Sequence, residues 1–390
     1  MAVKPMLQSG DASMTLHICL LAERAPRRYP RPVTYRGPVT MLRRIALLSV
    51  LPIAACAAPE VEIPQGTKAA GDPAKPVAAV METLVTTDPT VDADDPVLWA
   101  DRRDPSRGLL IGTDKTDGLY VHDLTGKVLQ FFPDGPLNNV DLREGFVVDG
   151  KAYVLIAAAE RARFGIVTYL LDPDTMVVKP YAFLPTDMGE PYGFCMGKRG
   201  EAFYVLPNNK NGEARQYRIT AGANGPEIAL ERTMKVATQT EGCVVDDEAQ
   251  IFYLGEEDTG IWRFDFDPKA SPAATQVYAV DGKVLTADTE GLTIMRDGSR
   301  KYLIASSQGD STYPVWEIQG TSYAYKGRFA VEGGSIDNVT VTDGLDAWSG
   351  PIGSWQEGAI AMHDHDDGDG KQQNYKLVDW RDVKKALSLP

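Results

Sequence analysis

The chain has 390 residues, 24% of them charged and 43% hydrophobic, with 36 glycines and 26 prolines. That length holds one large domain or two ordinary ones, with enough apolar residues to build a core without disulfides. Its 54 acidic side chains outnumber its 40 basic ones, and a net charge of −14 argues against a nucleic-acid partner, whose non-specific binding draws on Lys and Arg at phosphates.

The charge is uneven along the chain. Residues 1–55 carry 8 basic and 2 acidic groups, so residues 56–390 keep 32 basic and 52 acidic groups, a net of −20. Within residues 1–40 the run RAPRRYPRP has no apolar period and reads as an upstream segment without a fold. From Met41 the sequence is MLRRIALLSVLPIAACAAP: two arginines, an apolar run, then small residues. That is the pattern of an export signal, too short to span a membrane. The tetrad Ile53-Ala54-Ala55-Cys56 resembles a lipobox, which would place a lipid anchor on Cys56. An ordinary signal with an incidental cysteine is the alternative. The expected organisation is an upstream segment at 1–40, a signal at 41–56, an Ala/Pro/Gly-rich tether at 57–80, and one domain at 81–390. The protein is expected to be exported, as a periplasmic or outer-membrane-anchored lipoprotein or as a secreted one, and monomeric. Outside the leader only Cys195 and Cys243 remain. A disulfide and two buried free thiols both fit their spacing, and no zinc-type Cys/His spacing occurs.

A repeat organises the rest. Short β-rich runs flank polar tips in LLIGTDKTDGLYVHDL from Leu109, AYVLIAAAERARFGIVTYLLD from Ala152 and AFYVLPNNKNGEARQYRI from Ala202. The pattern continues in IFYLGEEDTGIWRFDF from Ile251, YLIASSQGDSTYPVWEI from Tyr302 and AIAMHDHDDGDGKQQNYKLVDW from Ala359. Their alternating apolar positions predict β-hairpins. Between them, at a similar period, lie DADDP, NNVD, EPYGF, TEGC, TEGL and TDGLD. Two interleaved series of six predict an all-β fold: a six-bladed β-propeller of four-stranded antiparallel blades, with equivalent loops around one channel mouth.

At equivalent heights the hairpin tips supply Lys115, Arg161, Lys210, Glu257, Gln308 and Asp364. The loops between hairpins supply Asp94, Asp95, Asp141, Tyr192, Glu241, Glu290 and Asp343, with Asp288 and Asp337 nearby. Blades one to three thus offer three cations and a phenol, and blades four to six mainly carboxylates. Crowded carboxylates repel one another and shift toward protonation unless cations neutralise them. Hard oxygen ligands in irregular loops suit calcium. Three cations facing such ions suit a multiply charged anion, phosphate above all. The acidic run HDHDDGDG lacks the closing glutamate of an EF-hand loop, and reads either as lending Asp364 to calcium or as a solvated turn. No nucleophile elbow, P-loop or dinucleotide fingerprint is found. A glycosidase carboxylate pair would leave the three cations without a role.

The motifs DADDPVLW, NNVDLR, EPYGF, TEGC with VDDE, GEEDTGIW, DTEGLTI, ASSQG and TDGLD stand in the order found in the β-propeller phytases, and the chain resembles that family from about Asp92 to Trp380. The resemblance implies a propeller with structural and catalytic calcium ions, acting on phytate, myo-inositol hexakisphosphate. One phosphate is cleaved while a neighbour anchors the substrate. By it, Lys115, Arg161, Tyr192 and Lys210 match phosphate-contacting positions. Asp95, Glu241, Glu257, Asp288 and Glu290 match ligands of the catalytic calcium ions, and Asp337 and Asp343 further calcium ligands. Where family members tend to carry two adjacent lysines, Lys115 is followed here by Thr116, which weakens the expected second phosphate contact. Two other classes fit a propeller with calcium: a lactonase-type hydrolase, which needs an apolar pocket, and a non-catalytic binding propeller.

Overall fold

Strands with alternating apolar residues bury one face and need a second layer to cover it. The computed structural model describes residues 72–83, 92–223, 225–366 and 372–390. All six hairpins read from the sequence form antiparallel pairs. They belong to six separate sheets, the six blades of a propeller. Their innermost strands are Ala93–Asp101, Leu137–Val148, Phe194–Arg199, Thr240–Asp246, Thr289–Asp297 and Leu345–Ser349. Residues from all six line one central cavity.

Apolar side chains pack between adjacent sheets. Between blades three and four, for example, Tyr204 and Leu206 meet Phe252, Phe264 and Phe266. Each such buried ring stabilises the fold by roughly 1.5–3 kcal/mol relative to exposure. The short helix Trp380–Leu387 is capped by the Asp379 carboxylate, which accepts from the Arg381 N–H. It buries Trp380 and Val383 against Val77, Phe329 and Met362 of blades five and six.

The ring is closed by the N-terminal side of the domain. Blade six has three strands from the C-terminal end, Leu345–Ser349, Gly358–Asp364 and Asn374–Asp379; its fourth and outermost strand is Met81–Glu82. The Tyr375 N–H donates to the Thr83 hydroxyl at 3.0 Å, and Val80 N–H to the Leu377 carbonyl at 2.8 Å. Just upstream, Lys75–Val77 adds a parallel fifth strand to blade five. The Asp72 carbonyl accepts from Arg328 at 2.6 Å, and its carboxylate from the Tyr325 hydroxyl at 2.8 Å. These contacts fall inside the stretch expected to be a tether. An Ala/Pro/Gly-rich composition hides a three-residue strand whose single buried anchor is Val77. The upstream segment 1–40, the signal 41–56 with Cys56, and residues 57–71 lie outside the described residues, as do 367–371 of the HDHDDGDG loop.

The cysteine alternatives resolve to a disulfide. Cys195 and Cys243, 48 residues apart with Cα atoms at 5.7 Å, join the innermost strands of blades three and four. Closing a loop of that length stabilises the fold by about 4 kcal/mol in the chain-entropy account.

Because ring closure rests on Met81–Glu82, a chain beginning at residue 84 is expected to melt at least about 5 °C below one beginning at residue 72. Thermal unfolding followed by circular dichroism measures this, and equal melting temperatures would remove the closing role of that strand.

Candidate functional site

The loops at one end of the inner strands carry the recurring dipeptides Tyr192-Gly193, Glu241-Gly242, Glu290-Gly291 and Asp343-Gly344. The glycine is needed because the next blade lies against it. A Cβ on Gly193 would collide with the carbonyl oxygen of Glu241, and one on Gly242 with that of Glu290. The same close contact recurs at Gly291 against the Gly344–Leu345 backbone and at Gly344 against Asp95. Each glycine lets two blades approach, which brings the preceding side chains together at the mouth.

The centre of the cluster is Glu241, Glu257 and Glu290. All three are buried, and each offers a carboxylate oxygen within 4.8 Å of the others. At an effective dielectric of about 20, two like charges at that distance repel by about 3 kcal/mol. The protonation equilibria follow. Burial, then the neighbouring glutamates, push Glu290 well above the usual carboxylate range. Burial and Glu241 raise Glu257 to about 8. Asp94 is raised by burial and by Glu241 and Asp343, against the pull of Lys115. Asp288 is raised by burial and by Asp258 and Glu241. Oε1 of Glu257, Oε2 of Glu290 and Oδ2 of Asp94 are buried without a hydrogen-bond partner. Orphaned buried carboxylate oxygens are costly, and a cation would satisfy them. The donors are all hard oxygens, so the residues present fit a hard divalent ion and could hold a metal.

The cations stand beside this group. Lys115 Nζ reaches Asp343 Oδ2 at 2.8 Å, Asp94 Oδ1 at 3.1 Å and Asp92 at 3.8 Å. Burial opposes its charge, but these carboxylates outweigh burial and hold the ammonium protonated well above the usual lysine range. Asp343 is half-buried, which opposes its charge, yet Lys115, His363 and Gln308 keep it below the usual range. Gln308 Nε2 donates to its other oxygen at 2.5 Å. Arg161 Nε donates to Glu190 at 2.8 Å, and its guanidinium lies 5.2 Å from the Tyr192 ring centroid. Lys210 Nζ sits on the same ring at 4.2 Å. The Tyr192 phenol is driven upward by Glu241, by burial and by Glu290 and Glu257, so it stays protonated and able to donate.

Eleven of the expected residues therefore surround one mouth: Lys115, Arg161, Tyr192, Lys210, Asp94, Glu241, Glu257, Asp288, Glu290, Gln308 and Asp343. Four go elsewhere. Asp95 accepts from Val140 N–H at 2.9 Å, and Asp141 pairs with Arg143 at 2.7 Å; both line the channel. Asp337 and Asp364 converge on the buried ammonium of Lys376, with Asp337 at 2.8 Å.

Residues that sequence reasoning passed over tie the mouth together. The Asn138 side-chain amide donates to Glu241 Oε1 at 2.7 Å, and its oxygen accepts from Arg161 at 3.3 Å. Asn208 Nδ2 donates to the Glu241 carbonyl at 2.9 Å. Asn138 and Glu190 stand inside motifs already picked out, NNVD and EPYGF. For Lys376, far along the chain from Asp337, no local signal exists.

Fold and site together define a six-bladed propeller whose acidic mouth could hold a metal and is bordered by Lys, Arg and Tyr side chains. A family model described as phytase matches residues 40–389, and the chain belongs to that family of enzymes. It is 37% identical over 310 residues to the 3-phytase of Bacillus subtilis (strain 168), a match covering 76% of this chain and 81% of that protein.

The raised carboxylates set a pH dependence for the metal-free protein. A folded-state pKa above the unfolded value stabilises at low pH, and that contribution is lost as pH rises through the folded value. With Glu257 at about 8, the melting temperature of chelator-treated protein is expected to fall between pH 6 and 9. Calorimetric melts across that range check it; a rise would contradict the crowding of the triad.

Proposed function

We propose that the protein hydrolyses phytate to lower inositol phosphates and phosphate in a calcium-dependent reaction. The observation that carries this reading is the division of the mouth: Lys115, Arg161, Lys210 and Tyr192 stand beside a buried triad in which one oxygen each of Glu257 and Glu290 lacks a partner. A lactonase-type site would call for an apolar pocket, and the side chains here are cations and carboxylates. The family membership and the 3-phytase relative support phytate over other phosphate esters.

In this reading Glu241, Glu257 and Glu290 hold calcium, with Asp94, Asp288, Gln308 and Asp343 around them. Asp95 and Asp141 in the channel, and Asp337 and Asp364 beside Lys376, are secondary candidates because cations or backbone N–H groups of this chain already engage them. Bound calcium would supply neutralising charge and an acidified water. The chain's own groups do the rest. Lys115, Arg161 and Lys210 bind equatorial oxygens of the phosphoryl group and stabilise the charge that develops there. Glu190 holds Arg161 through Nε, which fixes the plane of the guanidinium. Tyr192, kept protonated by its acidic neighbours, donates to a phosphate oxygen. No covalent nucleophile is needed, and alkaline pH together with a bound cation favours the ionised carboxylates.

The same proposal includes export, by the signal at 41–56, with lipid on Cys56 or release as a secreted protein, and action as a monomer.

Phosphate release from phytate is expected to rise with added calcium and to vanish in excess chelator. Lys115→Ala and Arg161→Ala should each lower kcat/KM by about a hundredfold while the calcium-induced rise in melting temperature largely remains. Full activity in chelator would overturn the reading.

A further inference from the structure

The cationic and acidic halves of the mouth meet at two seams. Between blades six and one an ion pair ties them, Lys115 to Asp343 at 2.8 Å. Between blades three and four the ties are of another kind. Cys195 lies three residues beyond Tyr192, and Cys243 two beyond Glu241, so their disulfide links the two strands immediately below the residues that face each other across the seam.

Asn208, fully buried, holds the same two segments. Its backbone N–H donates to the Gly193 carbonyl and its carbonyl accepts from Tyr192 N–H, both at 2.8 Å. Its side chain accepts from the Thr240 hydroxyl at 2.8 Å and donates to the Glu241 carbonyl at 2.9 Å. Gly193 lies directly against that carbonyl.

Blades three and four are separate sheets, so no ladder of backbone hydrogen bonds sets their spacing. Side-chain packing alone would let the inner strands slide by fractions of an ångström. An anion bridging Tyr192 and Lys210 on one side and a cation on Glu241 on the other needs that spacing held to about 0.5 Å.

We propose that the Cys195–Cys243 disulfide and Asn208 form a brace that positions the site: it fixes the distance between the anion-binding side chains of blade three and the metal-type carboxylate of blade four. The proposal rests on the reading of the mouth as a calcium-dependent phytate site. The brace touches neither substrate nor metal, and acts through Tyr192 and Glu241.

The test compares the full chain with the Cys195→Ser/Cys243→Ser double variant at 25 °C, where circular dichroism shows each to be folded. Calcium binding is read by titration calorimetry, and phytate hydrolysis at saturating calcium is read separately. The calcium midpoint is expected to weaken about fivefold and KM for phytate to rise about tenfold, with kcat changed less than about twofold. Should the double variant not fold, Asn208→Ala, which keeps the disulfide, is expected to shift the same two quantities in the same direction. A variant with a lower melting temperature but wild-type calcium midpoint and KM would overturn the proposal and leave the bridge a stabilising cross-link only. A wild-type chain that released no phosphate from phytate would remove the substrate reading instead, while the calorimetric comparison would still decide the brace.

Discussion

Three buried carboxylates within 4.8 Å of one another form an arrangement that a protein does not stabilise by itself. Each pair repels by about 3 kcal/mol at an intermediate dielectric, and burial withholds the water that would screen them. The options are protonation or a cation. The upward shifts of Glu257 and Glu290 and their unpartnered oxygens express the first option and prepare the second. Everything else at the mouth is arranged around that frustration. Lys115 neutralises Asp343 and Asp94, Asn138 and Asn208 orient Glu241, and Arg161 and Lys210 stack on the one side chain, Tyr192, that must stay protonated.

The propeller supplies the stiffness. Six sheets present equivalent loops to one mouth, and recurring glycines let neighbouring blades approach until backbone meets backbone. The negative body that excludes bare polyanions thus has a local exception. Acids gathered at one point would draw cations, and under the proposed function cations together with Lys and Arg make the same point an anion site.

Much of this was legible in the sequence because it is local or periodic. Alternating apolar residues mark the hairpins, and a period near fifty residues marks the blades. The dipeptides ending in glycine mark where they meet. Periodicity identifies loops but not which side chain turns to the mouth. Asp94 and Asp95 are neighbours in one strand, and successive strand residues point to opposite sides, so Asp94 meets Lys115 while Asp95 turns to the channel and Val140. The rest depends on partners far apart in the chain. The reach of Asp337 to Lys376, the Cys195–Cys243 bridge, and the hold of Asn208 on Glu241 join separate segments, and no single segment encodes them. The strand Lys75–Val77 was hidden for a related reason: its stability comes from the edge of blade five, not from its own three residues.

The central claim is that the triad is held against its own repulsion. The most direct measurement is the melting temperature of metal-free protein, in chelator at pH 8, for the wild type and a Glu241→Gln/Glu290→Gln double variant of similar shape. The account predicts that the neutral variant melts several degrees higher, at about 2–4 °C per kcal/mol of repulsion removed. A variant that melts lower than the wild type would contradict it, because the carboxylates would then be stabilising the fold rather than waiting for a cation.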